Sequence, residues 1–346
     1  MEDQREKLLI QKETEEEDVV FNLSLRPAHL SEFVGQKETI ESLKLSIEAT
    51  KQRHEPLEHI LLSGPPGLGK TSLAHIIAHE MKTKITATSG PAIERAGDLI
   101  GILTNLGKGD ILFIDEIHRL SSVVEEFLYP AMETFQIDFV IDKGPYAKTI
   151  KFNLKQFTLV GATTRSGLLT AALRGRFGMF FHLDFYNEGD LASIVKRSAK
   201  ILGVEIDEPA CLEIARRSRG TPRIANRLLR RVRDYAQVKK SSKLTVDIVD
   251  KALTALRIDK AGLDEMDRKF LKVILDNYNG GPAGVESIAA TLGEEEDTLV
   301  DVIEPFLLKA GFLKRTSRGR ELTEVAYRHF NIASGKTKSK TQKELF

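Results

Sequence analysis

Lys70 follows Gly64-Pro-Pro-Gly-Leu-Gly directly and is followed in turn by Thr71 and Ser72. This is the spacing of a phosphate-binding loop, and it sits where such a loop must, between the apolar run His59-Ile-Leu-Leu-Ser63 and the start of a helical stretch. Gly64, Gly67 and Gly69 let backbone N–H groups turn inward around phosphate oxygens. The helix behind them presents its positive end to the same anion. With ATP or ADP bound, Lys70 then pairs with the β-phosphate and, in ATP, the γ-phosphate, the Thr71 hydroxyl is a ligand for Mg²⁺, and Ser72 adds an α-phosphate contact.

A second constellation is Ile111-Leu-Phe-Ile-Asp115-Glu116, an apolar strand that ends in two carboxylates. A core does not tolerate such a pair unless it points out of the carboxyl end of the sheet into a polar site. Asp115 then holds Mg²⁺ and Glu116 orients or deprotonates the attacking water, so the chain is read as a hydrolase rather than a passive nucleotide binder.

The elements that position these residues follow from periodicity. From Leu25 to about Asp184, strand-like runs alternate with helical ones, with strands expected at His59–Ser63, Asp110–Ile114 and Phe157–Val160 and helices from Lys70 and near Val123 to Thr134. That alternation argues for an α/β domain with a parallel sheet covered on both faces. From Glu188 to about Leu256 every segment reads as helix, giving a small all-α domain. Residues 260–330 give three helical patterns and then Leu313-Lys-Arg-Thr-Ser-Arg-Gly-Arg-Glu-Leu-Thr323, two extended pieces around a glycine-containing turn, which together suggest a winged helix. The expected divisions are a charged extension at 1–22, a large ATPase domain at 23–186, a small helical domain at 187–258, a winged-helix head at 259–333 and a Lys/Ser/Thr-rich tail at 334–346.

Composition adds limits. With 51 basic and 50 acidic residues the net charge predicts no nucleic-acid partner, yet acidic residues crowd 264–304 and basic ones 309–343. Lys314, Arg315, Arg318 and Arg320 cluster around Gly319, an arrangement that suits a wing gripping phosphates. The single cysteine, Cys211, lies on a helical pattern with Leu212, Ile214 and Ala215 and reads as core. His118 and His329 lack partners at metal-ligand spacing. No apolar run is long enough to cross a bilayer and the start lacks the apolar core of a secretory signal, so a cytoplasmic protein is expected.

The order of phosphate loop, Asp-Glu strand, polar strand end and Arg-rich turn resembles the AAA+ ATPases. Within them the chain is similar to the RuvB family of Holliday junction branch migration motors from about Leu23 to Phe330, through Leu25-Arg-Pro-Ala-His-Leu-Ser-Glu-Phe-Val-Gly-Gln36, Ile114-Asp-Glu-Ile-His-Arg-Leu120, Gly161-Ala-Thr-Thr-Arg165 and Ala310-Gly-Phe-Leu313. The resemblance implies a γ-phosphate sensor at Thr164, with Thr163 the alternative. It implies an arginine finger at Arg176 in Leu173-Arg-Gly-Arg-Phe-Gly178, acting on a neighbouring subunit, with Arg174 a supporting charge, and a second sensor at Arg223. Leu25, Arg26 and Tyr186 are implied nucleotide contacts, and Arg315 and Arg320, then Arg318, implied DNA contacts.

Residues 136–154 alternate as Ile137, Phe139, Ile141 and Ile150, Phe152, Leu154 around Asp142-Lys-Gly-Pro145, which reads as a β-hairpin. In the RuvB family such a hairpin docks on RuvA. The implied partners are therefore duplex DNA and four-way junctions, a RuvA-like protein, a RuvC-like resolvase and further copies of the chain in a homo-hexamer, with no membrane. Two rivals stand beside this reading. A clamp-loader-like ATPase is opposed by Arg-Gly-Arg where a Ser-Arg-Cys finger would stand, and a non-enzymatic DNA-binding regulator is opposed by Glu116.

Overall fold

A computed structural model describes residues 24–141 and 148–332. The charged N-terminal extension, the turn around Asp142-Lys-Gly-Pro145 and the Lys-rich tail lie outside the described residues. The chain divides into two compact units, Met1–Leu244 and Thr245–Phe346.

The first unit is built on five parallel strands, β1 (Ile60–Ser63), β2 (Ile85–Ser89), β3 (Ile111–Asp115), β6 (Thr158–Thr163) and β7 (Met179–His182), in the order β2-β3-β6-β1-β7. The three central strands, β3, β6 and β1, are buried along nearly their whole length, which is why they read as continuous apolar runs. β2 and β7 occupy the edges, half exposed; Ile85-Thr-Ala-Thr-Ser carries little apolar content and Met179-Phe-Phe-His is only four residues long, so neither stands out. The sheet is therefore two strands wider than the periodicity indicated.

Helix Ser122–Glu133 sends Val124, Leu128, Ala131 and Met132 into a core shared with Leu112, Ile114, Ile117, Phe157 and Leu159. Its start is set by Ser121, whose hydroxyl accepts the Val124 N–H. Each of these Leu, Ile, Val, Met and Phe side chains contributes about 1.5–3 kcal/mol on leaving water. Two further strands, β4 (Gln136–Ile141) and β5 (Lys148–Asn153), pair antiparallel with Ile137 opposite Phe152 and Phe139 opposite Ile150. Of the first pair, Ile137 is buried whereas Phe152 is nearly half exposed.

Helices Glu188–Ile201, Glu208–Arg216 and Pro222–Val238 follow, the first two capped by the side chains of Asn187 and Asp207. A two-residue parallel pairing, β8 (Glu205–Ile206) with β9 (Lys243–Leu244), interrupts what the sequence presents as all helix. Cys211 is buried, and burial pushes its thiol up to about 11, in keeping with a core residue.

In the second unit, helices Glu265–Tyr278, Val285–Leu292 and Glu304–Lys309 enclose a core of Phe270, Leu271, Ile274, Ile288, Leu299 and Leu307. β10 (Leu313–Thr316) and β11 (Gly319–Leu322) form the wing, with Lys314 opposite Glu321, Arg315 opposite Arg320 and Thr316 opposite Gly319. Gly319 is required there: its φ is +134°, and a Cβ would lie 2.4 Å from the Ala283 carbonyl oxygen. A last helix, Glu324–His329, closes the core through Ala326. Among the described residues no helix is long and apolar enough to cross a membrane.

Candidate functional site

The carboxyl ends of β1, β3 and β6 and the start of helix Lys70–Met81 converge on one cavity of about 480 Å³ in the first unit. Of the residues singled out in the sequence, Leu25, Arg26, Gly67, Gly69, Lys70, Thr71, Ser72, Asp115, Glu116, Thr164, Tyr186 and Arg223 line it. Gly64 stands just below, where β1 ends. Parallel strands place their ligand sites at their carboxyl ends, and the sequence positions of these groups reflect that rule.

The loop is shaped by its glycines. Gly67 has φ +78°, and a Cβ on it would meet Thr221 Cγ2 at 2.7 Å, so this backbone passes hard against the segment that carries Arg223. Lys70 is almost fully buried and donates from Nζ to the carbonyls of Gly64 at 2.7 Å and Pro65 at 2.9 Å. Burial brings its ammonium down to about 8, against the pull of Asp115 and Glu116. An anion in the cavity needs the charged form and stabilises it. Below pH 8 the lysine is already charged and nucleotide affinity should be flat in this respect. Above pH 8 binding must take up a proton, so Kd for ATP should rise about tenfold per pH unit until another group intervenes. A titration of ATP affinity from pH 7 to 9.5 checks this, and an unchanged Kd across that range would remove the lysine's charge from the account.

Thr71 Oγ1 donates to Asp115 Oδ2 at 3.3 Å, and Asp115 Oδ1 accepts the Glu116 N–H at 2.9 Å. Two hard oxygens at the phosphate end are the sparse protein donor set that Mg²⁺ takes when phosphates and water complete its shell. Glu116 sits in the left-handed region at φ +48°, a conformation that costs a non-glycine residue about 1–3 kcal/mol and is held here by the structure around it. Its carboxylate meets Arg119 Nη1 at 3.1 Å. That exposed pair is worth at most about 1 kcal/mol, so it leaves the carboxylate able to turn toward a substrate.

The two threonines at the end of β6 part company. Thr163 is fully buried, and its hydroxyl accepts the Arg165 N–H at 3.0 Å and lies 3.0 Å from His118 Nδ1. Thr164 reaches the cavity. Thr163 is the last residue of β6 and Thr164 lies just beyond it, so their side chains part where the chain leaves the sheet, a distinction that needs the fold and not only the sequence. His118, which the sequence leaves without a role, is thereby a contact of the strand end.

Tyr186 Oη donates to the Leu68 carbonyl at 3.2 Å, and burial pushes its hydroxyl far above the usual phenol range. Burial also lowers Arg26, although a guanidinium stays charged in any case. Phe33, Val34, Ile194, Arg197 and Asn226 line the cavity as well. None of them stands in a phosphate-loop or strand-end pattern, and Ile194 shows in the sequence only as one apolar position of a helix.

Arg176 does not line this cavity. Its guanidinium lies 4.3 Å from the centre of the Tyr129 ring, pairs with Glu133 Oε1 at 3.0 Å and donates to the Ala172 carbonyl at 2.6 Å. Tyr129 is fixed in turn by donating to Glu125 Oε2 at 2.6 Å. Arg174 lies over the Phe180 ring at 5.8 Å.

In the second unit, Arg320 gives Nε to Glu304 Oε1 at 2.6 Å, and Arg315 binds the other oxygen of the same carboxylate. Glu304 is completely buried. Arg315 is half exposed, Arg320 largely covered, and Lys314 pairs with Glu321 at 2.7 Å. Arg318 is exposed at the tip, between the two strands. The sequence showed the cations and not the internal carboxylate that two of them share.

Comparison with known proteins covers nearly the whole described chain. Residues 25–183 match the family model for the Holliday junction DNA helicase RuvB P-loop domain, 186–259 that for the RuvB AAA lid domain and 260–331 that for the RuvB C-terminal winged helix domain. The chain is 59% identical over 320 residues to the Holliday junction branch migration complex subunit RuvB of Desulfosudis oleivorans, covering 92% of this chain and 93% of that one. It is also similar to the solved structure of the Thermotoga maritima RuvB Holliday junction branch migration motor, with a TM-score of 0.84, 53% identity and coverage of 90% and 99% of the two chains.

Proposed function

Since the chain belongs to the RuvB family of AAA+ ATPases, we propose how its own residues convert ATP hydrolysis into movement of a four-way DNA junction. It is an ATP-hydrolysing motor subunit for Holliday junction branch migration. The clamp-loader alternative is set aside, because all three of its regions match RuvB models.

The proposed division of labour follows the cavity. Lys70 and the amides of the loop hold the β- and γ-phosphates, and Ser72 the α-phosphate. Thr71 and Asp115 would hold Mg²⁺, which neutralises phosphate charge when bound. Glu116 accepts the proton of a water whose oxygen attacks the γ-phosphorus, and the bond to the bridging oxygen breaks with its electrons leaving on ADP. Thr164 contacts the γ-phosphate, and Arg223 reports its loss to the helix it begins. Leu25, Arg26 and Tyr186 contact the rest of the nucleotide. Arg176 completes the site of an adjacent copy in a homo-hexamer. The observation that carries this reading is the split itself: six candidate groups, Lys70, Thr71, Asp115, Glu116, Thr164 and Arg223, share one cavity and the seventh, Arg176, is held away from it.

The partners proposed are duplex and four-way DNA, RuvA through the hairpin of β4 and β5, and a RuvC-like resolvase. For DNA, the half-exposed Arg315 and the exposed Arg318 are placed to meet phosphates, with Arg320 bracing the wing through Glu304. Replacing Arg315 and Arg318 together by Ala should lower the slope of log affinity against log salt by about 2 and weaken all duplex sequences alike. Equilibrium binding at several salt concentrations checks this, and an unchanged slope would take the wing out of the DNA interface.

The functional test is migration of a synthetic four-way junction by this chain with RuvA. Conversion to duplex arms should need ATP. Intact ATPase activity with no conversion under any condition would contradict the branch migration assignment.

A further inference from the structure

We propose that Arg197 latches the segment that closes the base end of the nucleotide cavity, and so acts as a positioning residue for recognition of the adenine moiety; this rests on the ATPase reading above. Arg197 stands on helix Glu188–Ile201. It donates from Nη1 to the Leu25 carbonyl at 2.9 Å, from Nη2 to the Arg26 carbonyl at 3.4 Å, and from the same nitrogen to Glu32 Oε2 at 3.2 Å. Glu32 Oε2 also accepts the Ala28 N–H at 3.0 Å, and that amide, together with Arg197, holds the carboxyl below its ordinary range.

The segment so held has little to hold itself. Between Leu25 and Phe33 its one regular element is the single turn Leu30–Glu32, and no strand pairing fixes it. Its further ties, the Leu30 N–H to Glu80 Oε1 at 3.3 Å, His29 Nδ1 to the same oxygen at 3.7 Å and the His29 ring against His79, lie toward the far end from Leu25. Yet this segment supplies Leu25, Arg26, Pro27, Glu32 and Phe33 to the cavity, and Arg197 lines the same cavity itself. The phosphate-binding groups occupy the loop side. The residues that the latch positions are mostly apolar and suit a flat heterocycle better than an anion.

A planar guanidinium suits this task because it binds two carbonyls and a carboxylate from one rigid fork, which a lysine cannot. Loosening the latch should raise the entropic cost of closing the base end and leave the phosphate end as it was.

The expected result is a separation of the two ends. Arg197→Ala should raise KM for ATP about tenfold, the size of one lost charge-assisted hydrogen bond, with kcat changed less than twofold. Inhibition by inorganic tripolyphosphate, which has no base, should be unchanged. Arg197→Lys should recover part of the loss, and Glu32→Gln should shift KM the same way by a smaller factor. Equal weakening of ATP and tripolyphosphate, or an unchanged KM for ATP, would overturn the proposal. Absence of ATP hydrolysis in the unsubstituted protein would instead overturn the ATPase reading beneath it, so the two failures are distinct.

Discussion

Glu116→Gln should leave a protein that binds ATP and does not turn it over. The substitution keeps the shape of the side chain and removes the carboxylate that takes the proton of the attacking water, so kcat should fall by about 10²–10⁴. Binding should change little, because the groups that hold the phosphates are Lys70, fixed by the carbonyls of Gly64 and Pro65, and the loop amides. Losing the weak contact between Glu116 and Arg119 should not disturb the fold, since an exposed pair contributes about 1 kcal/mol at most. Phosphate release in a single turnover, measured beside ATP affinity, checks both halves. Turnover within a factor of a few of the unsubstituted protein would take Glu116 out of the reaction.

Arg176→Ala should have the largest effect, a loss of about 10³–10⁵ in kcat with ATP affinity nearly unchanged. The two numbers separate because Arg176 contributes nothing to its own chain's cavity. Its guanidinium is held over Tyr129 and against Glu133 and the Ala172 carbonyl, an arrangement that fixes a cation on a surface distinct from the cavity. A positive charge aimed at the phosphoryl oxygens matters only as charge builds on them, so it acts on the transition state more than on bound ATP. Steady-state hydrolysis and equilibrium ATP binding on the same preparation test this. An equal loss in both would mean that Arg176 serves the local fold and not the chemistry.

These two residues were legible in the sequence for different reasons. Glu116 and Asp115 stand out because two carboxylates at the end of a four-residue apolar run violate the economy of a core and need a polar destination. Arg176 carries no such signal; an arginine in a turn is ordinary, and only the resemblance to a family drew attention to it. The choice between Thr163 and Thr164 could not be read from either, since it depends on where each side chain goes as the chain leaves β6. Arg197, Asn226 and Phe33 were invisible because they meet the nucleotide loop only through folding, at separations of about a hundred residues or more in two of the three cases. The same holds for Glu304, which looks like one acid in an acidic stretch until the wing folds over it.

The fold shows a similar division. Central strands declare themselves because both faces are buried and their runs are apolar up to the strand end. Edge strands β2 and β7 are half exposed, and the one is too polar and the other too short to show a period. The two-residue pairing of β8 with β9 is too short to leave any period at all. Capping residues such as Asn187 and Asp207, in contrast, mark helix starts locally, because the side chain that satisfies the free N–H is only three residues away.

The central claim is that each active site is completed by a neighbouring copy, and mixing two inactive variants tests it most directly. Glu116→Gln chains cannot hydrolyse ATP in their own cavities but still carry Arg176; Arg176→Ala chains keep Glu116 but offer no guanidinium to a neighbour. Mixed in equal amounts and allowed to exchange, they should recover ATPase activity well above either variant alone, at sites where an Arg176→Ala chain meets the arginine of a Glu116→Gln chain. Activity that stays at the level of the separate variants, with mixed assemblies demonstrated in the same sample, would contradict the account.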